Sequence, residues 1–443
     1  MSVKIRQVCF WIHRYSGLTM ALFLFIAGIT GALLAFHEEL DDWFNHKLVY
    51  VEIENRPQLP ISTLHDKVIK TYPKYKFSSM PVTLQPNKSV VFEVDRVRKQ
   101  QPDDKNIAPF QEVYVNPYSA EIIGIRDKEA WAWNNTMWKV FWLHRELLLG
   151  QTGKLILGIV ALIWTLNCFI GFYLTLPRII KTKKGNNGNK SSVKRASLLK
   201  RWLPAWKIRR KTNFFKLNYD IHQAFGLWLW VILFVIAWSS VGFNLNSVYQ
   251  PVMQTVVGLQ PFEKVDKNQS KPGQDNQPTI NSSRESNSET TPIKITKAQS
   301  IDYLLAQADK VSADQGLKVE QALGLRWIKE DKQWQMRFKT NKDIGNKVGT
   351  SSVTIDAITG KIEKTHFGHQ SLTSNKINEW LMSLHMGHIG IGLVHTLYQV
   401  FLSIIGMAVS TLSFTGVYLW WRGRKVRQRN ALRSIQDTNK RPL

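Results

Sequence analysis

The chain has 443 residues, and its 59 Lys and Arg against 33 Asp and Glu give a formal charge of +26. That charge could serve nucleic acid, but it sits in segments flanking long uncharged runs and no RNA- or DNA-binding motif accompanies it, so a nucleic-acid role is set aside. Cys9 and Cys168, the only two cysteines, lie in or beside apolar runs, which excludes a disulfide framework and a paired-thiol redox centre.

In chain order, the first element is an uncharged stretch from Tyr15 to Phe36, 22 residues and long enough to cross a bilayer. It is too long for a secretory signal core and lacks a small-residue cleavage site, so it reads as a retained first transmembrane helix over 8–37. Residues 38–135 read as a small outer domain. It has a helix from Ser62 to Thr71, a mobile loop from Arg96 to Pro109, and a strand–turn–strand pattern from Val113 to Ile123. The second transmembrane helix, with an outer extension, occupies 136–177 around the run Leu155 to Leu176. A basic loop, 178–218, holds fourteen Lys or Arg and no Asp or Glu. The third helix, 219–246, contains the run Ala224 to Leu245. A linker over 247–292 is so polar from Lys264 to Pro292 that disorder is expected. The second outer domain, 293–375, repeats the first: a helix from Lys297 to Val311, then a strand–turn–strand from Val353 to Ile362. The fourth helix, 376–422, carries the run Thr396 to Trp421, and a basic tail follows over 423–443. If the four helices alternate, the basic loop, the tail, Lys4 and Arg6 share one side. The positive-inside rule then makes both termini cytoplasmic and both outer domains external. The pattern reads as a duplication of helix, outer domain, helix.

The histidines carry the chemistry. His13-Arg14-Tyr15-Ser16-Gly17-Leu18 opens the first helix and His222-Gln223-Ala224-Phe225-Gly226-Leu227 opens the third. Leu143-His144 precedes the second run and Leu384-His385 the fourth, while Gly171-Phe172-Tyr173-Leu174 and Gly416-Val417-Tyr418-Leu419 close them. A single histidine at a helix end can rest at the lipid interface. Two duplicated pairs point to function, because ionisable residues at membrane depth are costly. Related by a two-fold axis along the membrane normal, His13 would face His222 and His144 would face His385, each pair supplying both axial ligands of a haem. Gly17 and Gly226, one turn further in, would let a porphyrin lie close to the helix. Arg14 and Arg145 would pair with its propionates. His37, His388 and His395 are alternative outer ligands, although His37 lies about 36 Å along the helix from His13 and cannot share its iron. His46, His65, His366 and His369 read as ordinary surface residues. Zinc fits poorly, since no Cys, Asp or Glu completes a four-ligand set at these depths. No nucleotide-binding glycine loop, flavin site or protease motif is present.

The segments His13 to Leu18, Gly31 to Asp41, Leu143 to Gly150, Leu384 to Gly387 and Thr415 to Arg422 resemble the PepSY-associated transmembrane proteins over nearly the whole chain. That resemblance implies a mainly α membrane protein: four transmembrane helices in two tandem repeats, with two small α+β PepSY-like periplasmic domains. Members are bacterial inner-membrane proteins often tied to iron uptake, and some are ferric-siderophore reductases carrying b-type haems. The same four histidines are the ligand positions it implies. The expected protein is therefore a haem-dependent ferric-siderophore reductase with two b haems, taking electrons from a cytoplasmic reductase or quinol. It would release ferrous iron from a siderophore or other periplasmic iron chelate, with Trp131 and Trp133 as candidate chelate contacts. A haem-free PepSY membrane module that binds or regulates a periplasmic peptidase is the competing expectation.

Overall fold

The computed structural model describes residues 3–95, 108–178, 197–259, 295–329, 331–347 and 349–439. Its elements run α1 (Val3–Leu34), α2 (His37–Phe44), α3 (His46–Val49), α4 (Ile61–Thr71), β1 (Ser79–Met80), β2 (Val90–Glu93), β3 (Glu112–Val115) and β4 (Ile122–Arg126). They continue with α5 (Thr136–Glu146), α6 (Gly150–Thr175), α7 (Leu198–Trp202), α8 (Phe214–Trp228), α9 (Trp230–Asn244), α10 (Asn246–Val257) and α11 (Lys297–Ala313). Strands β5 (Val319–Ile328), β6 (Gln333–Thr340), β7 (Ser351–Asp356) and β8 (Ile362–His366) follow, then α12 (Thr373–Met386) and α13 (Leu393–Asn439). The chain divides into two compact units. One comprises 1–41, 134–249 and 384–443; the other comprises 42–133 and 250–383.

The first unit is helical. Among the described residues, three helices are long and apolar enough to cross a membrane: Lys4–Leu34, Gly150–Thr175 and Leu393–Asn430. Helix is the form their sequences dictate, because in lipid every backbone N–H and C=O must be satisfied within the segment. Leu22, Phe25, Leu33, Leu155, Leu166, Leu397 and Ile404 point outward from this bundle, as a lipid-facing surface requires. The expected third helix is broken: α8 and α9 meet at 71° and form a fourth span only when taken together. Neither Pro nor Gly stands at the bend. Instead the Trp228 indole donates to the Trp206 carbonyl at 3.2 Å and the Trp230 indole to the Cys168 carbonyl at 2.9 Å, so the two sides of Leu229 are tied to different elements. α1 ends at Leu34, and His37 opens α2 instead of closing the first helix.

The second unit holds both sheets, all antiparallel: a five-stranded sheet in the order β1-β5-β6-β7-β8 and a three-stranded sheet β2-β3-β4. The two outer segments were expected to fold as separate domains. In the structure they share one core: Leu64 and Val68 of α4, Phe92 and Val113 pack in one cluster with Leu304 of α11, Met336, Phe338 and Ile355. β1, from the first segment, pairs with β5 through Met80 and Leu325. The two strand–turn–strand units use the same turn. Asn116 Oδ1 accepts from the Tyr118 and Ser119 amides, and Asp356 Oδ1 from those of Ile358 and Thr359. Each turn closes on a residue with positive φ, Ala120 at 58° and Gly360 at 70°. Most of Arg96–Pro109 and all of Lys264–Pro292, expected as a mobile loop and a disordered linker, lie outside the described residues.

His65 corrects the surface expectation: it is buried on α4, and its Nε2 donates to the Phe77 carbonyl at 2.7 Å. Burial, aided by the Lys297 charge, pulls its pKa down to about 4. The folded state thus favours the neutral ring, and stability present above the ordinary value is lost as pH falls from 6.5 toward 4. Between pH 7 and pH 5 the wild type is expected to lose about 1–2 kcal/mol more than His65→Gln, measured as the difference in unfolding midpoints.

Candidate functional site

Helices of the first unit bring the histidines together in two pairs. The rings of His13 on α1 and His222 on α8 have centroids 6.3 Å apart and planes at 69°. Those of His144 on α5 and His385 on α12 lie 6.4 Å apart at 74°. Each pair takes one histidine from each half of the chain. A metal ion held at about 2.0 Å from a nitrogen of each ring separates their centres by roughly 6.3 Å. Both pairs stand at that separation.

Hydrogen bonds fix which nitrogen is available. Asn167 Oδ1 on α6, an acceptor, lies 3.0 Å from His13 Nδ1. Thr30 Oγ1 lies 3.0 Å from His144 Nδ1, and its own hydroxyl proton is engaged with the Ile26 carbonyl at 2.7 Å, so it accepts from the ring. Thr415 Oγ1 donates to the Thr411 carbonyl at 2.8 Å and accepts from His222 Nδ1 at 3.0 Å. Ser239 Oγ donates to the Val235 carbonyl at 2.7 Å and accepts from His385 Nδ1 at 2.7 Å. This proton count puts a hydrogen on all four Nδ1 atoms and leaves Nε2 as the lone-pair nitrogen of each neutral ring. That is the tautomer a metal ligand needs, with the outer partner that orients it.

Glycines give the rings room. A Cβ on Gly171 would lie 3.0 Å from His13 Cε1, one on Gly416 3.3 Å from His222 Cε1, and one on Gly31 3.2 Å from His144 Cε1. The sequence flagged Gly171 and Gly416 only as anchors of a repeat and Thr415 only as the start of a family segment, and Asn167, Thr30 and Ser239 escaped it. Their signal is a polar side chain inside an otherwise apolar helix. Gly226 faces open space and Gly17 meets only the Asn167 amide at 3.8 Å, so both leave free volume one turn from their histidines. The Arg14 guanidinium lies over the Trp11 and Tyr15 rings and that of Arg145 over Phe141.

The other histidines are placed differently. His37 meets the Trp138 ring edge-on at 5.4 Å, and His395 Nδ1 donates to the Ile389 carbonyl at 3.2 Å. His388 stands half-buried just beyond α12. Trp131 and Trp133 are strongly exposed in the second unit. Among the described residues, no three His, Cys, Asp or Glu side chains gather to hold a bare metal ion.

The family model of the PepSY-associated TM region matches residues 10–423. The chain belongs to this family. No curated protein matches the sequence. All four paired histidines of this PepSY-associated TM protein, and the residues that orient them, fall within the matched span. With three long apolar helices and a bent fourth, it is a multi-pass membrane protein whose second unit is α+β.

Proposed function

We propose that this protein is a haem-containing electron carrier of the bacterial inner membrane that reduces ferric iron held in a periplasmic chelate. The observation that carries this reading is the paired geometry: two facing imidazoles at 6.3 and 6.4 Å, each with Nδ1 anchored and Nε2 available. Two nitrogens are too few for a bare zinc ion, which takes four protein ligands in structural sites. They suffice for an iron that brings its own four equatorial nitrogens, as haem does. His13 and His222 would hold one b haem, and His144 and His385 the second. Bound there, haem supplies a site that accepts and returns one electron at a time.

The protein's own residues do the rest. The acceptors on Nδ1 raise imidazole basicity and fix ring orientation. Along α1, His13 and the Thr30 that holds His144 are 17 residues apart, about 26 Å at 1.5 Å per residue, so the two pairs occupy levels near opposite faces of a bilayer core of about 30 Å. Arg14 and Arg145, beside their histidines, would neutralise propionates. The basic loop 178–218 and tail 423–443 favour a cytoplasmic side for the His13–His222 level. Electrons then enter there, from quinol or a cytoplasmic reductase, and leave at the His144–His385 level. One electron per ferric ion yields ferrous iron, which hard oxygen donors bind less well. The ferric siderophore as acceptor rests on the family's association with iron uptake.

The test is an absorption spectrum of the detergent-purified protein, oxidised and dithionite-reduced, with a haem-to-protein ratio. Two b-type haems per chain are expected. A colourless protein after expression with added haem would sink the proposal in favour of a haem-free PepSY module that binds or regulates a periplasmic protein such as a peptidase.

A further inference from the structure

The segment that joins α6 to α8 is docked at the end of a membrane span. It folds as α7 and a 3-10 turn over Leu203–Trp206. Three hydrogen bonds hold it. The Trp202 indole donates to Thr175 Oγ1, on the last residue of α6, at 3.2 Å. The Arg201 guanidinium donates to the Arg178 carbonyl, and the Trp206 carbonyl accepts from the Trp228 indole at 3.2 Å. The Trp202 ring also meets Phe172 of α6 edge-on at 5.7 Å and Trp206 at 5.3 Å. Because α6 is long and apolar enough to cross the bilayer, an element fixed to its C-terminal residue lies at headgroup depth, where Trp side chains are favoured.

The other side of this element points away from the protein. Leu198, Leu199 and Leu203 are 59%, 67% and 54% exposed. The inward side is already filled by Trp202, Ala205 and Trp206, so the leucines cannot turn in. Neighbouring exposed apolar side chains of this kind mark a partner or a membrane surface.

Charge decides between them. From Ser197 to Tyr219 the chain carries seven Lys or Arg and no Asp or Glu. Arg209 is engaged by Asp220 in a two-pronged pair, both contacts at 2.7 Å. Lys200, Lys207, Arg210 and Lys211 are exposed and form no ion pair among the described residues. Leucines beside unpaired cations at headgroup depth match an anionic lipid surface: acyl chains take the leucines and phosphate groups the cations. An acidic soluble protein would answer the cations and leave the leucines unexplained.

We propose that residues 198–211 form an interfacial site for anionic phospholipid, with Leu198, Leu199 and Leu203 among the acyl chains and Lys200, Lys207, Arg210 and Lys211 on the headgroup phosphates. The site requires neither haem nor a particular sidedness.

The full-length protein is reconstituted in phosphatidylcholine vesicles containing spin-labelled phosphatidylglycerol or spin-labelled phosphatidylcholine, and electron paramagnetic resonance reads the share of each label immobilised at the protein. Phosphatidylglycerol should be held several-fold more than phosphatidylcholine, with the preference shrinking at high salt. Changing Lys200, Lys207, Arg210 and Lys211 together to Gln should remove most of that preference. The same change at Arg424, Lys425, Arg427 and Arg429 of the tail should leave most of it. A preference that survives the first set, or equal losses from the two sets, would overturn the assignment. For the leucines, a nitroxide on Leu199→Cys, in protein also carrying Cys9→Ser and Cys168→Ala, should collide more with oxygen than with a water-soluble nickel chelate. The reverse order would put the leucines in water, open to a protein partner, and would overturn it too.

Discussion

On the proposed reading, with a haem at each histidine pair, His13→Ala is expected to leave one haem per chain instead of two. The remaining haem keeps the spectrum of a six-coordinate b centre, because His144 and His385 stand on other helices and are anchored by Thr30 and Ser239. Reduction of an external ferric chelate by a cytoplasmic or quinol donor should be lost, since the level where electrons enter has gone. His144→Ala should give the mirror image: one haem retained, still reducible by the donor, with no transfer to the chelate. Haem-to-protein ratio and stopped-flow reduction read both. Full haem content in His13→Ala would refute the ligand assignment. Two further variants separate ligation from mere packing. Gly171→Leu leaves every ligand in place, but its side chain begins 3.0 Å from His13 Cε1, so it should mimic His13→Ala. Asn167→Ala removes only the acceptor on Nδ1. It should weaken binding at that site by about 10-fold or more and raise the potential of the retained centre, because the imidazole becomes a poorer donor. A residue with a packing role alone would not move the potential.

How much of this was legible in the sequence depends on the range of the physics involved. Spans show in the sequence because the bilayer demands a run of apolar residues in one stretch, and Tyr15 to Phe36 announces itself. The histidine pairs were legible because duplication repeats a histidine in register: His13 with His222, His144 with His385. The bend at Leu229 was not. It arises from the Trp228 and Trp230 indoles finding carbonyls on elements 22 and 62 residues away, partners that no local pattern reports. The merging of the outer segments into one core was hidden for the same reason, since the Met80–Leu325 pairing joins residues from opposite halves of the chain. Burial of His65 depends on a carbonyl twelve residues on, a contact that helix periodicity does not report.

The largest structural effect is expected at Gly406. α1 and α13 make the most extensive helix pairing in the protein, and they touch at small residues spaced four apart: Gly28 and Ala32 on one, Gly406 and Ser410 on the other. A Cβ on Gly406 would lie 2.5 Å from the Gly28 carbonyl oxygen and 2.9 Å from the Ala32 amide nitrogen. Both are backbone atoms that cannot rotate aside. Ser410 Oγ, within 3.2 Å of the Phe25 carbonyl, bridges the same crossing. Helices in lipid associate through such close packing and not through hydrophobic burial, so lost contact is not made good by the surroundings. Gly406→Val must push the helices apart. The cost should exceed the about 1–3 kcal/mol of ordinary overpacking, because backbone on both helices has to move. The functional consequence is wider than the contact. α1 carries His13 and, through Thr30 and Gly31, positions His144; α13 carries Thr415 and Gly416, which position His222. One side chain at Gly406 therefore displaces groups belonging to both histidine pairs, and both haems should be lost along with thermal stability in detergent. Gly423→Ala on the same helix, where a Cβ meets only the flexible end of Arg427 at 3.6 Å, should retain both. If Gly406→Val kept its haem while losing stability, the pairs would be held by α5, α6, α8 and α12 without help from this crossing, and the two centres would be independent of it.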